Sequence, residues 1–146
     1  MSRGYVLVRV AGRPYGLPLA GVLEVADRGE VLDVPRSLPA VRGLTPLRGR
    51  LVPLVHLGAL LADRAAPPDQ GSTVVVVRLS GRVVAFEVDD ADDVVREDPL
   101  PVPRGESLPW ASGVGRGRGG SGGGGGGGPG GLVPILDLDA LGERIG

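Results

Sequence analysis

Few side chains in this sequence could do chemistry, and their spacing restricts what that chemistry would be. His56 is the single histidine and so the one side chain whose ordinary pKa falls near neutrality. A general-base role would pair it with a carboxylate, Asp33 or Asp137. It would also require a nucleophile motif or a second metal-type ligand at useful spacing, and the sequence supplies neither. There is no cysteine, which excludes disulfides, thiolate catalysis and Cys-type zinc sites. Asp89-Asp90-Ala91-Asp92-Asp93 lacks the glycine and the distal bidentate glutamate of a calcium loop, so it reads as a solvated turn. Arg116-Gly117-Arg118-Gly119-Gly120 has the make-up of an RGG-type RNA-binding segment. It offers two cations without an aromatic platform, in a chain of net charge −1, and nucleic acid is not favoured as a partner. The later glycines lack the Lys-Ser/Thr of a phosphate loop and no long helix follows them. No catalytic residue, cofactor site or metal site is read from the sequence.

That leaves recognition, and one residue stands out for it. The stretch 41–57 reads as two short apolar strands folded about an Arg48-Gly49 turn. Gly49 can take the positive φ of a tight hairpin. Arg48 then stands at a fixed place above apolar neighbours Val41, Leu44 and Leu47, a setting suited to contact.

The elements that position it are short strands cut by Gly and Pro. Strands are expected at 6–10, 15–19 (with Pro18 at an edge or bulge), 30–34 and 83–88. Val22-Leu23-Glu24-Val25 reads as a helical turn or irregular segment. A short helix is expected at 58–62 and a connector at 67–71. Hydrophobic residues make up 42% of the chain and aromatics 3%, so the core must be built from Val, Leu and Ala. No apolar run approaches the ~18 residues of a membrane span and no apolar signal segment is seen. The expectation is a soluble, cytoplasmic chain that does not insert into a membrane.

The pattern occurs twice. Val77-Arg78-Leu79-Ser80-Gly81-Arg82 repeats Val8-Arg9-Val10-Ala11-Gly12-Arg13 at an offset of 69. Leu132-Val133-Pro134-Ile135-Leu136-Asp137-Leu138 repeats Leu51-Val52-Pro53-Leu54-Val55-His56-Leu57 at an offset of 81. Two similar halves follow, roughly 5–66 and 72–146, each mostly strand with one terminal helix. The fold class is therefore all-β: two small barrels sharing a hydrophobic seam, each too small to be stable alone. His56 and Asp137 align just ahead of the helices and read as helix-entry residues. The growth in offset places a glycine-rich insertion, 115–131, in the second copy of the hairpin. Lengthening a turn from about 4 to about 16 residues costs only about 1.2 kcal/mol of closure entropy.

In order along the chain, Tyr15-Gly16-Leu17, Val22-Leu23-Glu24-Val25, Val34-Pro35, the hairpin 43–53, Val88-Asp89 and Leu136-Asp137-Leu138 resemble the CheW-like domain family. These are adaptors of bacterial chemotaxis arrays, also found as a regulatory domain in the histidine kinase CheA. The resemblance covers essentially the whole chain as a single domain, 1–146. It implies two five-stranded, SH3-like β-barrels around a shared hydrophobic core. It implies a non-catalytic adaptor, without cofactor, coupling the tip of a methyl-accepting chemoreceptor to the regulatory domain of a CheA-type kinase. By the same resemblance the partner-binding residues are Arg48 in its Leu-Arg-Gly turn with Gly49, and Glu24. Val22, Val41, Gly43 and Leu44 would line a groove between the barrels. The chain departs from the family pattern at Pro46, where the family has Asn, at His56, where it has Asp, and in the glycine insertion. Two other readings stand beside this one: a β-barrel enzyme or ligand-binding protein using His56, and a barrel pair with a structural role alone.

Overall fold

The computed structural model describes residues 3–35, 38–67, 73–102, 110–117 and 131–145, the Asp92 side chain excepted. Among the described residues, ten strands and two helices follow one order twice. The first half contains β1 (Tyr5–Val10), β2 (Arg13–Pro18), β3 (Val22–Asp27), β4 (Val41–Leu47), β5 (Arg50–His56) and helix α1 (Leu57–Ala62). The second contains β6 (Thr73–Leu79), β7 (Arg82–Val88), β8 (Asp90–Val95), β9 (Ala111–Arg116), β10 (Leu132–Leu136) and helix α2 (Leu138–Ile145). A 3-10 turn, Leu19–Gly21, leads from β2 into β3.

The strands form two five-stranded sheets, ordered β8-β1-β2-β10-β9 and β3-β6-β7-β5-β4. Advancing each label of the second sheet by half the set gives the first, so the two are related by a pseudo-twofold. The second sheet is curled shut where Leu32, beyond β3, exchanges two backbone hydrogen bonds with Leu44 of β4, at 2.7 and 2.9 Å. Leu100, beyond β8, does the same with Val114 of β9, at 2.8 and 2.7 Å. Two SH3-like barrels result.

Three expectations are corrected. Barrels do not coincide with the halves 5–66 and 72–146, because the first hairpin of each half is built into the other half's barrel. The pairing β2 with β10 joins Gly16 to Ile135, and β7 with β5 joins Ala85 to Leu54, both parallel. Local patterning cannot reveal this, since either hairpin satisfies its own turn wherever it docks. Second, residues 22–25 are strand, and it is the segment at 30–34 that is irregular apart from the Leu32 bridge. A bulge between Val22 and Glu24 breaks the register of β3, which blurs its alternation. Third, Pro18 ends a strand central to its sheet; it sits at neither an edge nor a bulge.

Strand alternation explains the core. Val74 and Val76 face one way with Val52, Leu54 and Ala85, filling the inside of the second barrel. Tyr5, Leu7, Val133 and Ile135 fill the first. Val75 and Val77 face the other way and join Val6, Val8, Leu17, Phe86, Leu57 and Leu141 in the seam between barrels. Both faces of β1 and β6 are thus buried, which is why they read as apolar runs. The single Trp, Trp110, packs on the seam edge-on to Tyr15 at 5.7 Å between ring centroids.

In the second copy of the hairpin the strands extend further than the glycine-rich sequence implied. Gly115 and Arg116 lie in β9, and Gly117 N–H donates to Gly131 O at 2.9 Å. Residues 118–130 of the expected insertion, Arg118 among them, lie outside the described residues.

Candidate functional site

Arg48 and Gly49 take φ of 50° and 81°, the two left-handed residues of a type I′ turn, whose twist matches that of the flanking strands. A side chain in that first position is uncommon, yet Ala11 and Ser80 hold it in the other two tight hairpins, at 53° and 48°. Backbone strain therefore does not single out Arg48; its side chain does. The guanidinium reaches back to β3 and donates to both carboxylate oxygens of Glu24, Nε to Oε1 at 2.8 Å and Nη2 to Oε2 at 3.0 Å. Two residues 24 apart in sequence and considered separately form one bidentate pair, tying the hairpin tip to β3. The Arg48 hydrogen bond holds the Glu24 carboxyl below its usual range against a weaker opposing effect of burial, and Glu24 raises Arg48 in turn. The pair is open to solvent, Arg48 at 75% of its side chain. Such exposed pairs add little stability.

The other expected contact residues divide. Val22 and Val41 are half-buried and pack on the seam. Leu44 is half-buried beside the Leu32 bridge. Gly49 is exposed, and a Cβ there would meet nothing. Gly43 is buried: a Cβ there would stand 2.4 Å from the carbonyl oxygen of Leu32. Its glycine is required by the strand crossing above it, which gives it a shaping role behind the surface.

Two features escaped the sequence reading. The first is a buried ion cluster behind the hairpin. Glu87 of β7 is only 1% exposed; Arg28 Nη1 donates to its Oε2 and Arg42 Nε to its Oε1, each at 2.8 Å. Arg42 Nη2 comes as close but is not aligned to donate. This cluster clamps the chain leaving β3 and strand β4 to the centre of the sheet, and so fixes both strands that carry the Arg48–Glu24 pair. The second is a pair of matching apolar patches. Cross-strand partners share a face: Leu44 lies opposite Pro53 and Pro46 opposite Leu51, with Leu32 bridged alongside. On the other barrel Val114 lies opposite Pro134 and Arg116 opposite Leu132, with Leu100 alongside. The outward leucines are more than half exposed, Leu32 52%, Leu51 54%, Leu100 57% and Leu132 61%. The signal was present in the hairpin 41–57, where apolar residues occupy both faces instead of one.

His56 is buried, and its Nδ1 accepts the Ala59 N–H at 3.0 Å, capping α1. Asp137 Oδ1 accepts the Ala140 N–H at 3.1 Å at the start of α2. Both are the helix-entry residues expected. Burial lowers the His56 pKa; Glu87 opposes this more weakly and Arg42 adds to it. An open cavity of about 340 Å³ lies between residues 38–40 and α1, lined by Leu38, Ala40, Leu60, Asp63, Arg64 and Arg144 among others, and His56 is not part of its wall. The acidic run is not a turn as expected: from Asp90 it is strand β8, and its carboxylates accept backbone N–H groups, Asp89 from Gly12, Asp90 from Ala91 and Asp93 from Val94. Among the described residues no three metal-type ligands gather, and no helix is long and apolar enough to cross a membrane.

The model of the CheW-like domain matches residues 4–145. The chain belongs to the CheW-like domain family. This CheW-like domain is 26% identical over 95 residues to "Chemotaxis protein CheW" of Klebsiella aerogenes, covering 65% of this chain and 57% of that protein. It is 27% identical over 94 residues to "Chemotaxis protein CheW" of Rhizobium meliloti, covering 64% and 61%. The matched stretch thus spans about three fifths of those relatives. In fold it is similar to the crystal structure of the scaffolding protein TtCheW from Thermoanaerobacter tengcongensis, with a TM-score of 0.76 at 20% identity, covering 97% of this chain and 92% of that one.

Proposed function

We propose that this CheW-like domain is a non-catalytic cytoplasmic adaptor, holding the regulatory domain of a CheA-type histidine kinase to the tip of a methyl-accepting chemoreceptor. The observation that carries the reading is the Arg48–Glu24 pair, held at a rigid hairpin tip beside an apolar face in a chain of this family. An exposed, oriented guanidinium supplies register and steering, while the apolar surface supplies affinity. Val22 and Val41, at the mouth of the seam, with Leu44 and Gly49 beside the tip, fit an apolar helix face laid between the barrels; Gly43 supports them from beneath. The twin patches fit a partner of the same barrel architecture, since such a domain would offer a matching patch in return.

The test is binding of the purified chain to the regulatory domain of its genome's CheA-type kinase and to a receptor-tip peptide, by calorimetry. Arg48→Glu is expected to weaken binding at least tenfold without unfolding the protein, and Glu24→Arg in the same chain to restore part of it. Full-strength binding by Arg48→Glu would remove Arg48 from the site. No binding by the wild-type chain to either partner would remove the adaptor reading.

A further inference from the structure

Helices α1 and α2 occupy equivalent places in the repeat but are capped by chemically different groups, His56 and Asp137. A carboxyl keeps an acceptor oxygen whether or not it carries a proton, so the Asp137 cap on Ala140 survives protonation in form. An imidazole has one acceptor nitrogen, and in His56 it is Nδ1, engaged by the Ala59 N–H; a proton on Nδ1 turns that acceptor into a donor aimed at another donor. We propose that His56 is an acid-sensitive latch: taking a proton at Nδ1 releases the cap on Ala59 and loosens α1 at one corner of the seam, while α2 stays fixed.

The surroundings give the imidazolium less than its burial costs. Glu87, its register partner on β7, already has both oxygens taken by Arg28 and Arg42. Glu87 still favours the charged ring and Asp89 beyond β7 does so more weakly, while Arg42 on β4 and Arg64 beyond α1 oppose it. Burial outweighs these and favours the neutral ring. The sign follows: the unfolded chain takes the proton more readily, so the latch is closed above the unfolded value of 6.5 and opens as pH falls from there through the lower folded value. What it holds is substantial, since Leu57, Ala59 and Leu60 of α1 are buried in the seam, and Leu60, Asp63 and Arg64 line the cavity beside it. This inference is independent of the adaptor reading.

Having one histidine makes the test clean. Long-range ¹H–¹⁵N spectra of the full chain report the tautomer and titration of His56 alone, and hydrogen exchange follows Ala59 and its repeat twin Ala140 in the same sample. The expected result is an unprotonated Nδ1 at about pH 7.5. On acidification the protection of Ala59 falls about tenfold for each pH unit separating the folded and unfolded values, and that of Ala140 holds. His56→Asp, or His56→Asn should the first fail to fold, is expected to leave Ala59 as protected at about pH 5.5 as at about 7.5. The proposal is overturned if His56 titrates without a change at Ala59, if Ala59 and Ala140 loosen together, or if the variants keep the wild-type pH dependence.

Discussion

Replacing Glu87 with Gln keeps the shape of the buried cluster and removes its one negative charge. Arg42, 14% exposed, and Arg28, 22% exposed, then face each other across a neutral amide that can satisfy only part of what the carboxylate did. Breaking a buried pair by removing one partner costs about 3–5 kcal/mol. The lower end applies, because Arg28 is open enough to turn toward water. A loss of about 3 kcal/mol is a large part of the stability of a domain this size and lowers the melting temperature by about 6–12 °C. Urea unfolding followed by the fluorescence of Trp110 reads the effect, since that ring packs on the seam. The cost is attributed to charge left unpaired, so the triple variant Arg28→Met/Arg42→Met/Glu87→Leu is expected to be within about 1 kcal/mol of wild type or more stable. A loss below about 1 kcal/mol for Glu87→Gln, or a triple variant less stable than the single one, would refute the reasoning.

Gly43→Ala forces a Cβ against the Leu32 carbonyl and is expected to cost about 3 kcal/mol by the same urea assay, whereas Gly49→Ala, with open space around it, costs about 1 kcal/mol for its backbone conformation alone. Gly115→Ala intrudes on the Tyr5 ring and is expected to cost about 1–3 kcal/mol, part of which Tyr5→Leu in the same chain returns. Glu24, held low by Arg48, contributes stability that is present above its reference value of 4.5 and lost as pH falls through the folded value. Arg48→Gln is accordingly expected to flatten the decline of the urea midpoint below about pH 4.5.

The repeat made most of this fold legible. Ala11-Gly12, Arg48-Gly49 and Ser80-Gly81 announce their turns because φ > 0 at both positions favours a following glycine, and His56 and Asp137 announce their helices by position. The Arg48-Gly49 turn was legible, but the pairing of Arg48 with Glu24 was not, because β3 is bulged and reads as irregular. Glu87 looks like one acidic residue in an apolar strand until register places His56 beside it and Arg28 and Arg42 around it. The exchange of hairpins was invisible for a related reason: alternation reports which face of a strand is buried, and says nothing about which strand covers it.

That exchange bears on how the molecule can be made. When the ribosome has released the first half, β1 and β2 have no β8 or β10 to lie between, and β3, β4 and β5 lack the hairpin β6–β7 that joins them. The barrel of β3 to β7 has all its strands once β7 has emerged at Val88, whereas the other cannot close until β10, near residue 136, has emerged. The barrel that begins first is therefore finished last, and a product truncated before β10 keeps β1 and β2 on an open sheet edge beside an incompletely covered seam, a natural substrate for quality control.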